Sequence, residues 1–90
     1  MNNTLSDINR VCDEIKEMLM QKNLAYGDSA LDPVRIFSKA SATEQILVRI
    51  DDKISRFARG KSYPGDNDIV DLIGYLVLLK VAQERASDAQ

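Results

Sequence analysis

The stretch IVDLIGYLVLLKVA, Ile69 to Ala82, decides the fold: 11 of its 14 residues are apolar, interrupted only by Asp71, Gly74 and Lys80. It is too short and too polar at its ends to span a bilayer, which takes about 20 apolar residues. A helix apolar nearly all round must be buried on several sides. Two partner helices from one 90-residue chain would struggle to cover it. The pattern therefore predicts self-association, at least a dimer, with this helix in the interface. Gly74 lowers helix propensity by roughly 1 kcal/mol relative to Ala; a close helix crossing would explain keeping it, and ordinary tolerance is the alternative. Asp71, alone among apolar neighbours, needs a cation: Lys53, Arg49 or a metal.

Upstream, two more helices are written in three- and four-residue steps. Leu5, Ile8, Val11, Cys12, Ile15, Met18 and Leu19 form one stripe, with Thr4 and Asp7 at capping-box spacing before it. This first helix is expected over about 5–22, fading near Lys22 and Asn23. Cys12 reads as a small buried hydrophobe. Ser41 and Glu44 form a second capping box ahead of Ile46, Leu47, Ile50, Ile54, Phe57 and Ala58, and Gly60 ends that helix, over 42–59. The segment 61–65 reads as a turn, and Asp66 can cap a third helix over about 67–85. Between the first two lies a loop, 23–40, whose Gly27, Asp28, Ser29, Asp32 and Pro33 are turn residues. Pro33 can open a short helical turn through Val34 to Phe37. So long a connection in so small a domain points to a functional loop. The expected architecture is all-α: a single domain over 1–90, a small bundle of three main helices oligomerising through the third.

Composition narrows the chemistry. Twelve basic and 14 acidic residues leave a net charge of −2, so the chain has no general attraction for polymeric nucleic acid. There is no histidine, which removes a Ser-His or Cys-His nucleophile pair and a His-ligated zinc. The single cysteine allows no internal disulfide. The polar start, Met1 to Asp7, leads into no apolar signal segment, so a cytoplasmic, non-membrane protein is expected.

Three groups of residues can carry chemistry. On the second helix, Arg49, Lys53 and Arg56 share a stripe beside the apolar face, where three cations suit a nucleotide's phosphates. The competing reading is a solvated face paired with Asp51 and Asp52. In KNLAYGDS, Lys22 to Ser29, Gly27 permits positive φ, the neighbouring amides and the Ser29 hydroxyl can meet a phosphate or ribose, and Tyr26 offers a flat face to a base. The same turn also occurs as plain punctuation. Finally, Glu14 and Glu17, and Asp68 and Asp71, are carboxylate pairs three apart, and two such pairs on packed helices can chelate Mg²⁺. Their alternatives are a solvated face and a structural ion pair.

In order, KNxxYGDS, RIFSK (Arg35 to Lys39), RIDDKxxR and DxxDLIGYL (Asp68 to Leu76) resemble the nucleotide modification associated domain 1 family, small proteins common in phages. The resemblance covers about Lys22 to Ala82 and implies work on or near nucleotides. More distantly, the third helix is similar to the last metal-binding helix of MazG-type all-α nucleoside triphosphate pyrophosphatases. That likeness implies Mg²⁺ on Glu14, Glu17, Asp68 and Asp71, activating water against a triphosphate.

The expected function is a phage-type binder, in the host cytoplasm, that holds and sequesters a nucleotide or cyclic nucleotide signal without needing a cofactor. Arg49, Lys53 and Arg56 would take phosphate, oriented by Asp71. Tyr26, Gly27, Asp28 and Ser29 would meet base or sugar, Lys22 and Lys39 would add charge at the rim, and Arg35 would be among the ligand-binding residues. The alternatives are a Mg²⁺-dependent pyrophosphatase and a structural or protein-interaction module.

Overall fold

A computed structural model describes residues 2–60, 64–65 and 67–88. It contains three helices, α1 (Asn3–Tyr26), α2 (Ala42–Arg59) and α3 (Asp68–Asp88), and no strand among the described residues. The all-α architecture and the long connection between α1 and α2 are as the periodicity predicts.

Capping residues set the boundaries. Asn2, not Thr4, starts α1: its side-chain Oδ1 accepts from the Leu5 amide at 2.8 Å. Asn is among the strongest N-cap residues, so the helix begins earlier than the Thr4–Asp7 spacing implies. It also ends later. Gly27 takes the left-handed conformation (φ 66°, ψ 45°) and its amide donates to the Asn23 carbonyl at 2.9 Å. The Asn23 side chain donates to Asp28 Oδ1 at 2.9 Å, so Asn23 secures the helix end from inside it. Lys22 to Tyr26 are thus the last turn of α1, not the start of a loop. For α2 the prediction holds at both ends: Ser41 Oγ accepts from the Glu44 amide at 3.1 Å, and Gly60 is left-handed at φ 66°. Asn67 Oδ1 accepts from the Val70 amide at 3.2 Å at the start of α3. The proposed cap, Asp66, and Lys61 to Tyr63 lie outside the described residues.

No helical turn forms at Val34 to Phe37. The turn comes earlier, with the Leu31 and Asp32 amides both donating to the Asp28 carbonyl. Pro33 then disfavours helical geometry before it. Val34, Ile36 and Phe37 have no packing to stabilise a turn, Phe37 being 98% exposed.

Both α1 and α2 pack on α3, with no close backbone approach to each other among the described residues. The α2–α3 contact is extensive. Ile46, Ile50 and Ala82 form its buried centre, with Leu72, Tyr75, Leu78 and Leu79 packed around it. By contrast, α1 meets α3 at one short crossing, at Gly74. A Cβ there would sit 3.1 Å from Leu19 Cδ2 and 3.4 Å from Met18 Cε, so even an alanine would oblige the Leu19 side chain to give by a few tenths of an ångström. That close approach explains the glycine.

The chain does not close into a sphere. Its radius of gyration is 14.9 Å, against roughly 12 Å for a globular domain of this length. Leu5, Ile8, Val11 and Met20 on α1, and Ile69, Ile73, Leu76 and Val77 on α3, are exposed. Within one chain, α3 is therefore not covered on all sides. Cys12 is exposed rather than buried, because among the described residues no other helix covers the N-terminal half of the α1 stripe.

Candidate functional site

Two adjoining features occupy the region where the three helices meet. One is a rack of charges between α2 and α3. Lys53 Nζ lies 3.0 Å from Asp71 Oδ2 and 3.5 Å from Asp68 Oδ1. The side chains of Lys53 and Asp68 are only 11% and 10% exposed. Asp71 also receives Lys22 from α1 at 3.7 Å, and Arg56 Nη1 stands 3.9 Å from Asp68 Oδ1. Burial alone pulls the Lys53 ammonium toward neutrality. The hydrogen bond and charge of Asp71, joined by the Asp68 hydrogen bond, outweigh that burial and the repulsion from Arg56, so its pKa rises above the ordinary 10.5. The cation that Asp71 requires is thus Lys53, with Lys22 beside it.

The other is a cleft of about 200 Å³ whose polar lining is Lys22, Asn23, Tyr26, Ser29, Arg49, Asp71 and Tyr75, over a floor that includes Met18, Leu19 and Gly74. Each side chain arrives for a local reason. Lys22, Asn23 and Tyr26 ride the last turn of α1, and Ser29 follows the left-handed pair Gly27 and Asp28. One turn separates Asp71 from Tyr75 on α3, so both face the same way. Arg49 reaches over from α2: its Nη1 donates to the Tyr75 hydroxyl at 3.4 Å, and its Cζ lies 5.9 Å from that ring's centre. A guanidinium at this distance is held by the ring's electrons. Among the described residues Arg49 pairs with no carboxylate, in contrast to Lys53.

The basic stripe on α2 therefore divides. Arg49 faces the cleft, whereas Lys53 and Arg56 face carboxylates. Gly27 and Asp28 shape the turn but do not line the cleft. Arg35 and Lys39 lie outside it and brace the loop: Arg35 Nε donates to the Ala40 carbonyl at 3.3 Å, and Lys39 Nζ to the Arg35 carbonyl at 2.8 Å. Glu14 is exposed and accepts from Arg10 at 3.1 Å, and Glu17 is exposed. No group of three or more acidic or cysteine side chains that could hold a metal ion occurs among the described residues. Glu14, Glu17, Asp68 and Asp71 are thus not one cluster. Asp68 and Asp71 do come together, across a lysine.

Tyr75 and Asn23 are the residues that sequence reasoning missed. Tyr75 was within reach: four positions after Asp71, it shares that helix face. Asn23 was hidden by being read as a helix terminator.

No protein-family model, curated protein or solved structure matches the chain.

Proposed function

We propose that the cleft binds a small nucleotide or cyclic nucleotide, and that the protein acts by holding this ligand rather than transforming it. The observation that carries the reading is Arg49, a cation with no carboxylate partner among the described residues, set against Tyr75 at the mouth of a cleft also lined by Lys22, Tyr26, Asn23 and Ser29. Guanidinium is the group best suited to a phosphate's paired oxygens. Tyr26 supplies a stacking face, and Asn23, Ser29 and the Asp71 carboxylate supply donors and acceptors for a base edge or sugar hydroxyls. In this role Lys53 and Asp68 do not touch the ligand. They fix Asp71, and through it the cleft wall.

At about 200 Å³ the cleft is smaller than the roughly 300 Å³ at which small-molecule pockets usually begin, so it grips one end of the ligand and leaves the rest at the open rim. The choice of a nucleotide over another small anion follows the sequence resemblance to small phage proteins associated with nucleotide modification, a resemblance that no family model matches. Sequestering a nucleotide signal in an infected cell would need binding alone.

The test is a panel of linear and cyclic nucleotides with Mg²⁺, read both as a melting shift and as pyrophosphate release. At a ligand concentration 100 times Kd, the wild type gains about 2.7 kcal/mol of stability with no turnover. Arg49→Ala removes the gain. Pyrophosphate release that disappears in Asp71→Asn would replace the binder by a hydrolase. No shift with any nucleotide would leave only an interaction module.

A further inference from the structure

The surface of the chain is too large for its mass. Its accessible area is 7134 Å², whereas a globular monomer of 10.1 kDa exposes roughly 5,300 Å². The excess, roughly 1,800 Å² per chain, is what each half of an obligate dimer loses on association, since such interfaces bury about 2,000–5,000 Å² in total.

Exposed apolar side chains occur on all three helices and in the loop, and one set of them surrounds a groove. The outer sides of α1 and α3 enclose a groove of about 630 Å³ lined by Val11, Cys12, Ile15, Leu19, Ile73 and Val77. Beyond the groove, the α1 stripe continues uncovered through Ile8 (54% exposed) and Leu5 (52%). Only Ile15, Ile46, Ile50 and Ala82 are buried apolar residues among those described. So small a core does not offset the entropy of ordering a chain of this length.

We propose that a second copy of this chain fills the groove, the exposed Leu5–Ile8 segment of each α1 packing into the α1–α3 groove of the other. The same face carries both an exposed helical stripe, Leu5 and Ile8, and an apolar groove, so one patch can serve both copies as a twofold interface requires. The shortage of core also points to a partner that is always present, which a second copy is. The proposal does not rest on nucleotide binding.

Sedimentation of the full chain tests it. The wild type should run as a dimer, and Ile8→Asp, on the exposed stripe, and Leu24→Asp, in the lining of the groove, should run as monomers. A well-folded monomeric wild type overturns the proposal, as does a dimer that survives both substitutions. If a variant fails to fold, Cys12 provides a readout in the wild type. Its alkylation should slow at least tenfold between dilute and concentrated protein if the groove is covered, and an unchanged rate contradicts that. A dimer that binds no nucleotide would sink the proposed function and leave this interface standing. A monomer that binds one would do the reverse.

Discussion

The α2–α3 pair and the α1 helix are held by different physics. Between α2 and α3, a buried aliphatic centre is flanked by a charge rack in which Lys53 meets two partly buried carboxylates. Across the gap, α1 meets α3 closely where Gly74 admits Met18 and Leu19 and pairs Lys22 with Asp71 at 3.7 Å, and its other ion pairs among the described residues are exposed pairs within its own turns. The first region is a scaffold. The second is an arm whose last turn brings Lys22, Asn23 and Tyr26 to the cleft. The cleft therefore joins the packed α2–α3 wall to the last turn of α1.

Substitutions that separate the two regions test this division. Lys53→Met strands Asp68 and Asp71 with part of their charge uncompensated, and should destabilise the fold by about 3 kcal/mol in chemical denaturation. Lys80→Ala, which removes an exposed pair with Glu84, should change it by less than about 0.5 kcal/mol. Equal effects would mean that the rack is no stronger than a surface pair. Gly74→Leu should cost about 2 kcal/mol through overpacking. Hydrogen exchange should place the loosening in α1, with α2 amides unchanged. Ser41→Ala should lower global stability by about 1 kcal/mol, since it uncaps a helix of the scaffold. Asn2→Ala removes the same kind of cap from α1 and should fray the turn that carries Leu5, weakening self-association while leaving the α2–α3 amides unchanged in hydrogen exchange.

The smallest expected effect is a pH dependence. Because the folded pKa of Lys53 is raised, its ion-pair stabilisation is present in full below the ordinary value of 10.5 and is lost as pH rises through the higher folded value. The stability gap between wild type and Lys53→Met should be constant from neutral pH to about pH 10 and narrow above it. A gap that narrows between pH 6 and 9 would contradict the assignment.

What the sequence reveals follows from how local each determinant is. The α2 boundaries were legible because Ser41, Glu44 and Gly60 act within one turn, and the Gly74 crossing because a glycine in an apolar helix needs a reason. The cation for Asp71 was narrowed to Lys53, Arg49 or a metal, but geometry had to choose. The split of the α2 stripe could not be read, since Arg49 and Lys53 lie one turn apart and differ only in what α3 sets opposite them: Tyr75 for one, Asp68 and Asp71 for the other. The role of Asn23 was equally hidden. An asparagine near a helix end signals termination, and only the Asp28 side chain, brought round by Gly27, turns it into a clasp.

The cleft itself is tested most directly by following backbone and side-chain resonances during titration with the nucleotide that gives the largest melting shift. The account predicts shifts concentrated at Lys22 to Ser29, Arg49, Asp71 and Tyr75, saturating together with one affinity. Shifts centred on Arg35 and Lys39, with Arg49 and Tyr26 unmoved, would contradict it.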